Sequence, residues 1–327
     1  MLKRFKIGLA LGGGAARALA HIGVLEGLAA QGIPVDIITG TSMGAVIGGM
    51  YASDPDASRL RARINRYLYS DAYRESGFDF LRDKDDSNGD GLLFRMQRLA
   101  RRGLFNTLAV TRRSIVNDEI AERNYAELLD DIAIERMTLT FAAIALDLNS
   151  GDEVVIDHGP LRRGVAASCA IPGILNPVAH DGRLLVDGGW AEAVPVRAAF
   201  QLGASFVIAV DVVGGPGPFE APRNALDVVY RADSLVRGAL VREQLRDADC
   251  VLVPKNGEQH WADFRQVEKT VAAGRHALEA ESENLHRKLQ AAWQRGLFLP
   301  RRLSAVEPAA GTFFGLRLPR FDGASSS

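Results

Sequence analysis

The chain has 327 residues, 47% hydrophobic and 24% charged, and its 39 Lys and Arg against 40 Asp and Glu leave a net charge of −1. That balance excludes a strongly basic nucleic-acid binder or a polybasic membrane anchor, so partners have to be argued from sites. The two cysteines, Cys169 and Cys250, lie far apart in the chain. They make neither a disulfide framework nor a metal-ligand spacing, and they suit a reducing compartment.

The opening stretch "MLKRFKIGLALGGGAARALA" mimics a secretory signal, but consecutive glycines interrupt its apolar run and Arg17 sits in the would-be cleavage region. A cytoplasmic protein is expected, and no apolar run approaches the roughly 18 residues that span a bilayer. "FKIGLAL" (5–11) reads as a strand, and "AARALAHIGVLEGLAAQG" (15–32) has helical spacing closed by glycine. "VDIIT" (35–39) and "SMGAVIGGMYA" (42–52) repeat that unit, which argues for a parallel sheet with helices on its faces.

Residues 54–134 break the rhythm, being charged and mostly helical by pattern, as an insertion or cap would be. "LTFAAIALDL" (139–148) and "EVVID" (153–157) read as strands, and "NPVAHDGRLLVDGG" places Asp181-Gly182 between extended pieces, a hairpin signal. "PVRAAFQLG" starts a helix at Pro195 and ends it at Gly203. "ASFVIAVDVV" and "CVLVP" supply buried strands around a helix from about 224 to 248, and residues 263–294 turn helical again. The expected layout is one domain over 1–255 with the 54–134 cap inside it, then a helical extension over 256–327 whose "GASSS" tail is disordered.

"GTSMG" (40–44) matches G-x-S-x-G, the sharp strand-to-helix turn that exposes a nucleophilic hydroxyl, here on Ser42 between Gly40 and Gly44. Upstream, Gly12 and Gly14 open a helix as a dinucleotide loop would. The third glycine of that fingerprint falls on Arg17, however, and Asp36 begins the second strand, at the wrong edge for a ribose. The alternative use of "GGG" is donation from the backbone. The N–H groups of Gly13, Gly14 and Ala15 then line a concavity for a developing oxyanion, with Arg17 either anchoring the loop or simply exposed. If the first two strands are neighbours, these donors and Ser42 reach one carbonyl.

The proton acceptor is less obvious, since the six histidines (His21, His158, His180, His260, His276 and His286) occupy no evident catalytic setting. His260, His276 and His286 come late enough for a Ser-Asp-His order but read as surface residues. "LLVDGG" is the better source: an apolar strand delivers Asp187 at its end, and Gly188 and Gly189 let the chain turn away without covering the carboxylate. Desolvation there would raise its basicity.

With these residues assembled, "LGGGAARALAHIGVL", "GTSMGA", "ASCAIPGILNPV" and "LLVDGG" resemble, in order and spacing, the bacterial patatin-like phospholipases over roughly residues 5–212. The resemblance implies a three-layer α/β/α fold with a mainly parallel central sheet. It also implies a Ser-Asp dyad of Ser42 and Asp187, an oxyanion hole at the Gly12 to Gly14 turn, and hydrolysis of lipid acyl esters through an acyl-enzyme. No cofactor, metal or nucleic acid is implied; the partner is a lipid or acyl-ester substrate, with peripheral contact at the inner membrane surface and the oligomeric state left open. Two positions depart from the family's pattern: Ala18 follows the arginine where glycine is common, and Glu192 with Ala193 occupy "WAEAVP" where asparagine is common. The altered loop supports the competing reading, a non-catalytic lipid-binding or regulatory protein on the same fold.

Three further stretches stay ambiguous. "DSNGDGLLFRMQ" (86–97) sets Asp86, Asn88, Asp90 and Gly91 as a calcium loop would, but Gln97 at its last position lacks the bidentate carboxylate, which favours a plain loop. "LLFRMQRLARRGLF" (92–105) and "TFFGLRLPRF" (312–321) are amphipathic, as either a packed helix or a membrane-facing segment would be.

Overall fold

The computed structural model describes residues 5–75, 118–215, 217, 219, 221–222, 225–257 and 259–296. The 86–97 and 92–105 stretches and the tail from 297 onward lie outside the described residues.

Strand β1 (Ile7–Leu11) is buried at every position, and the glycine turn after it leads through a 3-10 segment at Ala15–Leu19 into α1 (Ala20–Ala30). The sequence predicts one helix from residue 15, but the first turn is tighter. Ala15 sits at φ 47° and the Ala16 N–H is drawn outward to the Trp261 carbonyl at 2.8 Å. β2 (Ile37–Thr41) and α2 (Met43–Ser53) repeat the strand-turn-helix unit. Next come α3 (Ala57–Leu68), whose first turn is capped by the Asp56 carboxylate, α4 (Asp71–Glu75) and α5 (Asp118–Leu128).

The apolar strand β3 (Thr140–Asp147) is followed by β4 (Glu153–Ile156), α6 (Leu161–Ser168) and the hairpin β5 (Val178–His180) to β6 (Arg183–Asp187). The hairpin turn has Asp181 at φ 47° and Gly182 at φ 75°, the paired positive angles that a two-residue type I′ turn needs. The last described elements are α7 (Val196–Gln201), β7 (Phe206–Val210), α8 (Ala225–Leu245), β8 (Cys250–Leu252) and α9 (Val267–Gly296).

Among the described residues, eight strands form one sheet in the order β5-β6-β3-β2-β1-β7-β8, with β4 pairing β3 beside that path. Neighbours from β3 through β2, β1 and β7 to β8 are parallel, while β4 and β6 each pair antiparallel with β3 and β5 pairs antiparallel with β6. Side chains alternate across the sheet, as strand geometry requires. Leu9, Leu11, Ile38, Ile208 and Val210 share a core with α1, α2 and α9, whereas Ala10, Val207 and Ala209 pack with Val196, Ala199 and Phe200 beside α7. Helices on both apolar faces make the three-layer α/β/α fold.

Helix α9 crosses α1 at a distance that only glycines permit. A Cβ on Gly274 would lie 1.9 Å from the Ala20 carbonyl oxygen, and one on Gly23 1.9 Å from the Val271 oxygen. Gly274→Ala is therefore expected to push the helices apart and lower stability by about 3 kcal/mol or more, read as a fall in the urea midpoint. An exposed control, Ala280→Gly, is expected to cost about 1 kcal/mol. Among the described residues, no helix is long and apolar enough to cross a membrane.

Candidate active site

The residues singled out in the sequence converge where the first two parallel strands end. β1 and β2 are neighbours, with Leu11 opposite Gly40, so the glycine turn and the serine turn share one edge of the sheet. β2 runs to Thr41, and Ser42 turns the chain into α2 at φ 54°, ψ −127°. A non-glycine residue at such an angle is strained, and the strain holds its side chain outside both elements. The flanking glycines are needed for close approach: a Cβ on Gly44 would fall 2.2 Å from the Leu11 carbonyl oxygen, and one on Gly40 2.5 Å from the Ala45 Cα.

Asp187 arrives from the opposite direction. β6 is antiparallel to β3 with Asp187 opposite Ala145, while Thr41 of β2 pairs with Ile144, the preceding residue of the same strand. The register thus sets Asp187 and Ser42 at one level, on either side of β3. The chain then folds tightly over β3, because a Cβ on Gly188 would stand 2.3 Å from the Ile144 oxygen. Asp187 is 3% exposed, and its Oδ1 accepts the Gly189 N–H at 2.8 Å. Burial pushes its carboxyl up to about 6, against the opposing pull of the Ser42 hydroxyl, the Gly189 amide and the Arg237 guanidinium. Arg237 of α8 lies over the Trp190 ring, 5.0 Å from its centroid, and is held by Asp233 at 2.8 Å. The buried Cys169 thiol adjoins both the Ser42 hydroxyl and the Tyr125 phenol, and burial pushes it well above the usual thiol range, so it stays protonated.

The glycine turn divides into two parts. Gly12 N–H donates to the Val210 carbonyl and Gly13 N–H to the Ala193 carbonyl, each at 3.0 Å, so these two amides hold the loop in place. That corrects the expectation that Gly13 offers a free donor, and the reason is a neighbouring loop whose position the sequence does not reveal. The N–H groups of Gly14 and Ala15 have no acceptor among the described residues. The turn runs against the serine, since a Cβ on Gly13 would lie 3.2 Å from the Ser42 Cβ. Arg17 anchors the following segment, donating from Nε to the Gln259 carbonyl at 3.2 Å. Ala18 is fully buried in the 3-10 turn, where its methyl fits.

His21 is a residue whose part the sequence concealed. It is fully buried, and its Nε2–H donates to the Gly12 carbonyl at 2.8 Å, on the inner side of the glycine turn. Burial lowers its pKa to about 4, the carbonyl opposing, so the ring is neutral at physiological pH. His21→Ala is expected to cost about 2–4 kcal/mol in urea denaturation, from a cavity plus an orphaned carbonyl. Of the other histidines, His276 and His286 are exposed, and His260 accepts the Ala262 N–H at 2.9 Å. Among the described residues, no cluster of His, Cys, Asp and Glu could hold a metal ion.

The "WAEAVP" departure is well bonded. Glu192 is fully buried; its carbonyl accepts from Thr41 Oγ1 at 2.7 Å, and its Oε1 accepts the Arg197 N–H at 2.8 Å at the start of α7. Thr39 Oγ1 donates to the Pro195 carbonyl at 2.7 Å, so two threonines of β2 tie the serine strand to the aspartate loop. Burial, together with the nearby Glu153 charge, raises the Glu192 carboxyl to about 8, against the helix amides and the Arg197 charge.

A strained serine elbow and a desolvated carboxylate stand at one level of a doubly covered, mainly parallel sheet, which defines the class as a three-layer α/β protein. The family model for patatin-like phospholipases matches residues 9–200. The chain is 32% identical over 255 residues to patatin-like phospholipase domain-containing protein 6 of Homo sapiens, covering 77% of this chain and 16% of that protein. It is 30% identical over 206 residues to Lysophospholipase NTE1 of Kluyveromyces lactis, covering 63% of this chain and 12% of that one. An uncharacterised NTE family protein of Mycobacterium bovis is 31% identical over 211 residues, covering 64% of this chain and 49% of its own. The chain belongs to the patatin-like phospholipase family. It spans about half the length of these curated relatives, or less.

Proposed function

We propose that the chain is a serine acyl hydrolase, of the phospholipase A, lysophospholipase or lipid esterase type, that cleaves lipid acyl esters through a Ser42–Asp187 dyad. The observation that carries this reading is the buried Asp187 carboxylate, its basicity raised by burial, set by the register of β2, β3 and β6 at the level of Ser42. The Ser42 hydroxyl attacks the ester carbonyl and Asp187 takes its proton, then returns that proton to the departing alcohol. Water, deprotonated by the same carboxylate, attacks the acyl-enzyme; the ester bond to Ser42 breaks, Asp187 returns the proton to the serine oxygen, and the fatty acid leaves.

Negative charge on the carbonyl oxygen during both steps is met by the amides of Gly14 and Ala15, which have no acceptor among the described residues, at the start of the 3-10 turn. One such donor typically lowers the barrier by about 2.7–4 kcal/mol. A lipid substrate is supported by the family and by the yeast relative Lysophospholipase NTE1. Cytoplasmic action with peripheral contact to a membrane belongs to the same proposal, supported by the two buried free thiols and by the substrate's own location. The competing non-catalytic reading draws on the altered "WAEAVP" loop, and the bonds of Glu192 and Thr41 supply that loop with its support. Labelling with a fluorophosphonate tests the proposal: the wild-type chain takes up the probe and Ser42→Ala does not. Equal labelling of both, or of neither, would overturn it.

A further inference from the structure

The motif "ASCAIPG" contains Ser168, to which the mechanism above gives no part. Ser168 ends α6, is fully buried, and its Oγ accepts the Ser42 N–H at 2.9 Å across 126 positions of chain. Two residues further, the Ala170 carbonyl accepts the Asp187 N–H at 3.0 Å. Between them the Cys169 thiol adjoins the Ser42 hydroxyl. One tripeptide therefore bonds the backbone of both members of the proposed dyad.

Ser42 has particular need of such a bond. Its N–H lies beyond the last rung between β2 and β3, where Thr41 pairs with Ile144, and Ser168 is its acceptor. Its φ of 54° is one that non-glycine residues keep only when their surroundings dictate it. A lost acceptor would leave a polar N–H without a partner and free the elbow to relax toward ordinary backbone angles.

We propose that Ser168, together with the Ala170 carbonyl, is a positioning device that sets the distance between the Ser42 hydroxyl and the Asp187 carboxylate. The proposal rests on the dyad reading. Ser168 touches no substrate in this scheme and moves no proton; it acts through Ser42 alone. The sheet brings the two residues to one level, and the end of α6 fixes them within it. Small displacements of reacting groups have large effects on rate, which makes the role measurable.

The test is steady-state hydrolysis of p-nitrophenyl butyrate by Ser168→Ala, Ser168→Cys and Ser42→Ala, with thermal melts alongside. Ser168→Ala is expected to lower kcat by about 10- to 100-fold, leaving KM and the acid limb of the pH profile unchanged. Ser168→Cys keeps the side chain's size but is a weak acceptor, so it is expected to be slower than wild type with a similar melting temperature. If Ser168→Ala fails to fold, the cysteine variant decides. Wild-type kcat in Ser168→Cys, or a loss expressed only in KM, would overturn the proposal. Activity lost in Ser42→Ala but intact in both Ser168 variants would sink the positioning role and spare the dyad. A chain still active as Ser42→Ala would remove both.

Discussion

Ser42→Ala and Asp187→Asn are each expected to reduce ester hydrolysis by about four orders of magnitude or more, while a single alanine at His158, His180, His260, His276 or His286 leaves turnover intact. The reason is the composition of the site. The Asp187 carboxylate has the Ser42 hydroxyl as a direct neighbour, whereas His260 is occupied by the Ala262 amide and His276 and His286 face solvent. The Asp187→Asn side chain keeps the shape of the original and can still accept the Gly189 N–H, so the fold should persist while the base is lost. The check is turnover of a short-chain p-nitrophenyl ester by folded variants. A dead His260→Ala variant with a native melt would point instead to a Ser-Asp-His arrangement.

The second large effect is in pH dependence. Asp187 must be ionised to accept a proton, and burial sets its pKa at about 6. The turnover rate is therefore expected to fall about tenfold per unit below that value. Stability moves the other way. A carboxyl whose folded-state pKa lies above its ordinary 3.8 contributes stability while protonated, and that contribution is lost as pH rises through about 6. The loss amounts to about 3 kcal/mol at most, at about 1.4 kcal/mol per unit. Asp187→Asn should thus be more stable than wild type at pH 7.5 by a margin that vanishes near pH 4. Urea midpoints of the two proteins at both pH values measure the difference, and a margin that grew toward acid pH would contradict the assignment. If Asp187 is the base of the proposed dyad, activity and stability trade against each other at this residue.

Much of this molecule is legible in the chain itself. Apolar runs of five or so residues closed by glycine, followed by helical spacing, identify β1, β2 and β7 and their helices, because burial on both faces of a parallel sheet leaves no polar positions to confuse the pattern. Asp181-Gly182 identifies the hairpin, because few residue pairs tolerate two successive positive φ angles. Ser42 and Asp187 stand out for a similar reason: the glycines around them mark places where backbone passes too close to backbone for a side chain.

What the chain alone does not reveal depends on partners distant in sequence. The spacing predicts a helix from residue 15, but the Trp261 carbonyl captures the Ala16 N–H and tightens the first turn. Gly13 reads as a free donor, yet Ala193, 180 positions later, takes its N–H. Glu192 reads as a flaw and is a buried link between α7 and β2. Local propensity and spacing act over a few residues, so they determined the elements and singled out the two side chains of the proposed dyad. The direction of β6, the register that levels Asp187 with Ser42, and which amides of the glycine turn lack an acceptor among the described residues were decided only when strands from opposite ends of the domain came to share hydrogen bonds.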